Sequence, residues 1–186
     1  MDICIKSEFH NMNNIGVFCS ASNDIDAIYV DSVSIIGKWL GENNKTLIYG
    51  GVNSGLMEVI AQSTKENGGK VIGIVPEQLK NNTSSYADEI IITKDLSDRK
   101  NRLLELSDVV VAFPGGIGTL DEVFYTLACA SLNCNPKRVI FYNINGFYSN
   151  LLTCFAEFKK CGFINRPLSE LYTVANTESE LKSLLK

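Results

Sequence analysis

Apolar positions along the chain fall into two rhythms. Short runs dominated by apolar residues recur at 15–19, 45–49, 70–75, 89–93, 109–113 and 138–142, with another at 171–174. Runs of that length, bounded by turn residues, read as strands of a buried parallel sheet. Between them apolar residues return at every third or fourth position, as in Leu56, Met57, Ile60 and Ala61, or Val123, Phe124, Leu127 and Ala130. That is the spacing of amphipathic helices. Helices are expected from Asn23 or Asp24 to about Leu40, after Gly55, from Asp95 or Ser97, from Thr119, over 147–161, and after Thr177, where Thr177 and Glu180 have capping-box spacing. Pro76 should close the third strand, and the polar residues 81–86 should form a loop. The alternation predicts one α/β domain over 15–186 after a lead-in at 1–14: a doubly wound, largely parallel sheet with helices on both faces.

Two strand-to-helix turns are rich in glycine. One reads Phe113-Pro114-Gly115-Gly116-Ile117-Gly118-Thr119-Leu120-Asp121-Glu122. Pro114 has no N–H for a strand ladder, the glycines admit backbone conformations closed to a Cβ, and Thr119 with Glu122 has capping-box spacing. Ligands of open parallel sheets bind beyond the strand C-termini, and a helix N-terminus there suits a phosphate. No Gly-Lys-Ser/Thr follows and the spacing is not G-x-G-x-x-G, so a metal-assisted NTPase or a dehydrogenase loses support. The other turn, Gly50-Gly51-Val52-Asn53-Ser54-Gly55, reads equally as packing or as a ligand loop. Ser20, at the end of the first strand, is open to the same choice between helix capping and a phosphate or sugar contact.

Asp98, Arg99, Lys100 and Arg102 crowd the first turns of the helix that follows Asp95. Cations there oppose the helix dipole; a ligand anion would compensate, and so would a solvated face with a local Asp98 pair. Right-handed crossovers would gather this segment, both glycine turns and the Ser20 turn at one edge of the sheet.

Composition narrows the field further. With 186 residues, a formal charge of −4 and ordinary apolar content, the chain gives no support to nucleic-acid or membrane-surface binding. No apolar run reaches the roughly 18 residues of a membrane span, and residues 1–14 lack a signal-peptide pattern, so a cytoplasmic protein is expected. Six cysteines without a C-x-x-C pair, and the single histidine His10, argue against a zinc site or disulfide framework and for buried reduced thiols. The helix from Thr119 carries Phe124, Tyr125, Leu127 and Cys129 on more than one face, broader than a core stripe requires, which points to at least a dimer.

Pro114 to Glu122 matches the P-G-G-x-G-T-x-x-E motif of the Lonely Guy (LOG) family of cytokinin riboside 5′-monophosphate phosphoribohydrolases. Ser97-Asp98-Arg99-Lys100 resembles that family's upstream Arg-Lys element, and VFCSAS (17–22), YGGVNSGLM (49–57) and GIVPEQL (73–79) extend the likeness over residues 15–174. Val52 stands where the family often has a third glycine, and Glu58 where glycine often follows Leu-Met.

The resemblance implies a modified Rossmann fold, a homodimer, and a cofactor-free, metal-independent hydrolase. Its reaction would cleave the N-glycosidic bond of adenosine-type nucleoside 5′-monophosphates, AMP or N6-prenylated cytokinin nucleotides, giving free base and ribose 5-phosphate. It further implies that Arg99 and Glu122 are catalytic and that Gly115, Gly116, Gly118 and Thr119 hold the phosphate, with Ser20, Gly51 and Lys100 as further substrate contacts. The alternative is a non-catalytic nucleotide or cofactor carrier of the same fold. Some relatives carry a lysine decarboxylase label, but no residue here marks a pyridoxal-phosphate lysine. A carboxylate at position 122 suits the proposed cleavage, because glycosidic bond breaking develops positive charge on the ribose. An arginine at 99 can clamp an anion or the departing base.

Overall fold

Four consecutive apolar residues at Val109–Ala112 form strand β5, and all four are buried. It lies next to the central strand β1 (Asn14–Phe18) of a sheet whose other members are β2 (Thr46–Tyr49), β3 (Lys70–Pro76), β4 (Glu89–Thr93), β6 (Val139–Tyr142) and β7 (Tyr172–Ala175). A computed structural model of the chain describes residues 12–186; Cys4, His10, Asn11 and most of the expected lead-in lie outside them. The seven strands run in the order β4-β3-β2-β1-β5-β6-β7, and every pairing is parallel. The two edge strands, β4 and β7, are only partly buried, whereas the inner ones are nearly closed to solvent.

The side-chain period of two sorts the apolar runs between two layers. Val17, Val109, Val111 and Phe113 point into a core shared with helices α1 (Ala27–Glu42), α2 (Gly55–Glu66) and α7 (Glu178–Leu184). Phe18, Val110, Ala112 and Phe141 point into the opposite core with α3 (Leu96–Leu106), α4 (Ile117–Ser131), α5 (Ser149–Lys160) and α6 (Leu168–Leu171). Strand order reverses between β1 and β5, so the chain leaves their C-termini toward opposite faces and opens a crevice between them. Thus the fold is a doubly wound parallel α/β sheet, as the alternation predicted.

Most boundaries fall within two residues of expectation, and the exceptions have local causes. Helix α1 begins at Ala27, not near Asn23, because Asn23 Oδ1 accepts the distant Gly55 N–H at 2.8 Å and is engaged before it can cap. Pro76 is the last residue of β3, paired beside Thr93, and a 3₁₀ turn at Glu77–Asn82 takes the start of the expected loop. At α7 the capping pattern is realised: Thr177 Oγ1 accepts the Glu180 N–H at 3.2 Å, and Glu180 returns a bond to the Asn176 N–H at 2.7 Å. Cys19 and Cys129 are buried thiols, but Cys134, Cys154 and Cys161 are exposed, against the expectation for all six. Among the described residues no helix is long and apolar enough to cross a membrane.

Candidate active site

The turn from β5 into α4 supplies the open end of a helix. Gly116 is the N-cap residue, and a Cβ at Gly116 or Gly118 would meet nothing within 4 Å. Those positions and Ile117 are exposed, so the first backbone N–H groups of α4 look onto free space. Thr119 is only 3% exposed, and its side chain fills the place that a Cβ on Gly115 would need. Behind the turn, Tyr148 donates its hydroxyl to the Phe113 carbonyl at 2.6 Å; Asn143 Oδ1 accepts the Tyr148 N–H at 2.8 Å, and Asn143 Nδ2 donates to Asn176 Oδ1 at 3.0 Å.

Across the crevice, the Ser20 N–H donates to the Pro114 carbonyl at 3.2 Å, tying the end of β1 to the glycine turn. Ser20, Asp24, Ile25, Tyr29, Pro114, Gly115, Gly116 and Phe147 line an open cavity of 370 Å³. Tyr29 meets Phe147 edge to face at 5.6 Å on its far wall.

Glu122 lies one turn into α4 and is 4% exposed. It does not serve a capping box: the N-cap is Gly116, which places Thr119 and Glu122 inside the helix, and the Glu122 side chain turns instead to Arg99. Arg99 Nη1 donates to Glu122 Oε1 at 2.6 Å, its Nε donates to the Ile74 carbonyl at 3.0 Å, and its Nη2 lies where a Cβ on Gly50 would be. One guanidinium therefore joins the ends of β2 and β3 to α4. Burial pushes the Glu122 carboxyl up to about 7; Arg99 pulls it back down, Asp121 adds to the rise, and Lys100 opposes it. Buried beside this pair is Cys19, whose thiol is pushed up by desolvation first and by Glu122 second.

The other cations of α3 are locally satisfied. Lys100 Nζ bonds both Asp121 oxygens at 2.9 Å and sits 5.0 Å from the Tyr125 ring centre, while Arg102 pairs with Glu105. Asp98 pairs with neither: its carboxylate accepts the Lys94 N–H, and its own N–H caps onto Asp95. Gly51 is buried with φ 72°, packed against Val75 and Gly73, and its carbonyl accepts the Ser84 N–H at 2.9 Å. Arg99, Glu122, Ser20, Gly115, Gly116, Gly118 and Thr119 thus gather at one sheet edge, with Lys100 and Gly51 set back from the open surface. Sequence reasoning gave Cys19, Ile74 and Tyr148 no place in the site: Cys19 and Ile74 fall within the VFCSAS and GIVPEQL matches, as Gly50 does in the YGG run, whereas Tyr148 carries no motif.

A doubly wound sheet with a buried arginine–carboxylate pair beside an uncapped helix N-terminus at its switch point defines a small class of α/β proteins. A family model described as "possible lysine decarboxylase" matches residues 57–185. The cytokinin riboside 5′-monophosphate phosphoribohydrolase LOG5 of Arabidopsis thaliana is 33% identical over 98% of this chain and 79% of its own length. Among solved structures, the molybdenum cofactor binding protein of Rippkaea orientalis is 25% identical with a TM-score of 0.69, covering 94% of this chain and 95% of that one. The molybdenum cofactor carrier protein of Chlamydomonas reinhardtii shares the fold at 24% identity and a TM-score of 0.74, over 94% and 96% of the two chains. The chain belongs to the LOG family.

Proposed function

We propose that this protein is a metal-independent hydrolase that cleaves the N-glycosidic bond of adenosine-type nucleoside 5′-monophosphates, releasing base and ribose 5-phosphate. The observation that carries this reading is the buried Arg99–Glu122 pair at 2.6 Å beside the open N-terminus of α4. The substrate phosphate docks on the N–H groups of Gly116 and Gly118, where the helix dipole favours an anion. That contact fixes the ribose over Glu122. As the bond breaks, the Glu122 carboxylate stabilises positive charge on the ribose, and the oxygen that Arg99 does not engage, Oε2, takes the proton of the attacking water. Arg99 opposes the protonation that burial favours at Glu122 and offers its remaining N–H groups to the departing base.

Cytokinin riboside 5′-monophosphates are the substrates in the relatives' names, and AMP, which shares their phosphate and ribose, is the second candidate. The protein acts in the cytoplasm as a homodimer: α4 leaves Ile117, Phe124 and Leu132 exposed at 84%, 45% and 77%, and a second copy would cover part of that face. A single mass of one chain by light scattering over a tenfold concentration range would refute the dimer.

The test of activity is chromatographic detection of free base from AMP and from isopentenyladenosine monophosphate, in EDTA, with Glu122→Gln as control. Release by wild type alone supports the hydrolase. Saturable nucleotide binding without release would favour the second reading, a carrier, which the likeness to the Rippkaea orientalis protein motivates.

A further inference from the structure

We propose that Cys129 and Cys134 form a redox-active dithiol that closes reversibly into an intrachain disulfide at the C-terminal end of α4. The helix ends in a turn that doubles back on itself. Asn133 has φ 55°, its N–H donates to the Ala130 carbonyl at 3.2 Å, and the Cys134 N–H donates to the Cys129 carbonyl at 3.0 Å. This pair of bonds defines a Schellman turn, whose third-from-last helical residue and second residue beyond the cap bring their side chains into contact. Those two places, usually apolar, are both cysteine here. A disulfide asks for Cα atoms roughly 4.4–6.8 Å apart, a separation that such a fold-back serves.

Two further observations support the site. The two thiols lie near enough to influence each other: burial first, and then the neighbouring Cys134 side chain, raise the Cys129 thiol. The turn is also held from outside, because Arg166 Nη1 donates to the Ala130 carbonyl at 2.5 Å and to Asn133 Oδ1 at 3.1 Å. Cys154 and Cys161, equally exposed, lie within α5 and at its C-cap, seven positions apart; the fold-back that ends α5 at Gly162 brings Phe158 and Phe163 together instead.

Exposure divides the chemistry. Cys134, at the surface, attacks a small-molecule disulfide such as oxidised glutathione, forming a mixed disulfide and releasing one thiol. Buried Cys129 then attacks the Cys134 sulfur, forming the internal S–S bond and expelling the second thiol. Two protein thiols are oxidised, one small disulfide is reduced, and the two protons leave on the released thiols. The bridge lies at the far end of a 15-residue helix, roughly 20 Å from Gly116, so Cys134→Ser should leave turnover unchanged.

The test uses the full chain, reduced, then equilibrated in glutathione buffers of increasing oxidation, alkylated, and digested with chymotrypsin, which cuts at Leu132 between the two cysteines. Mass spectrometry of wild type should find the two fragments joined, with no glutathione retained. Cys129→Ser should instead stop with glutathione on Cys134, and Cys154 and Cys161 should carry glutathione only. Glutathione held on wild-type Cys134 as fully as in Cys129→Ser, or a bond from Cys134 to a second chain, would overturn the proposal.

Discussion

Gly51, in the turn after β2, has φ 72°, and a side chain there would run into Val75 and the Gly73 backbone. Gly118, in the turn after β5, has empty space where a side chain would go. Gly50 and Gly55 follow the first pattern, the one beneath Arg99 and Met57, the other against the backbone of Ala21 and Ser22. Gly116 follows the second. Glycine thus serves two purposes at strand ends on either side of β1: close approach of packed parts at Gly50, Gly51 and Gly55, and vacancy above a helix N-terminus at Gly116 and Gly118. The Arg99–Glu122 pair spans them, seated on Gly50 at one end and borne by α4 at the other.

Substitution should separate the two turns by sign as well as size. Gly51→Ala has the largest expected effect, a loss of about 2–4 kcal/mol of stability from a positive φ and a buried clash, read as a lowered denaturant midpoint. Gly50→Ala should displace the Arg99 guanidinium and cut base release about a hundredfold while the protein stays folded, as measured by turnover alongside circular dichroism.

The pair itself makes a pH prediction. Burial raises the folded Glu122 carboxyl from 4.5 to about 7, so the native state holds its proton more tightly than the unfolded chain between those values. The stabilisation this gives is complete below about 4.5 and is lost as pH rises through about 7. The stability of wild type relative to Glu122→Gln should therefore fall by roughly 1–3 kcal/mol between pH 4.5 and 8, a difference that parallel urea titrations would reveal. A constant difference would mean that Glu122 titrates alike in the folded and the unfolded chain.

Gly118→Ala should have the smallest effect and the opposite sign. An added methyl on an exposed helical position gains up to about 1 kcal/mol, yet it intrudes on the phosphate position and should raise KM roughly tenfold with a higher Tm. If Gly118→Ala destabilised the protein as much as Gly51→Ala, the contrast between the turns would fail.

Residue order could not decide between packing and a ligand loop for the turn at 50–55, because both turns read as strand, glycines, helix. What separates them is the neighbour across the sheet: Val75 and Gly73 for one, nothing for the other. The same limit misled the reading of Thr119 and Glu122, whose spacing fits a capping box in any helix, whereas Gly116 took the cap and freed Glu122 for a partner 23 residues away. Lys100, expected as a substrate contact, also bonds Asp121, a partner 21 positions away that residue order does not announce. By contrast, strand positions were readable because a sheet buried on both faces imposes apolar runs that owe little to their distant partners.

The Tyr148 hydroxyl on the Phe113 carbonyl, continued through Asn143 to Asn176, bears on how the protein can be recombined. The glycine turn after β5 is propped by residues that the chain supplies much later. A chimera with a crossover between 114 and 147 would inherit its motif from one parent and its buttress from the other. Such hybrids will function only where both parents provide the same tyrosine and asparagines, so the unit of exchange is the whole second half of the sheet.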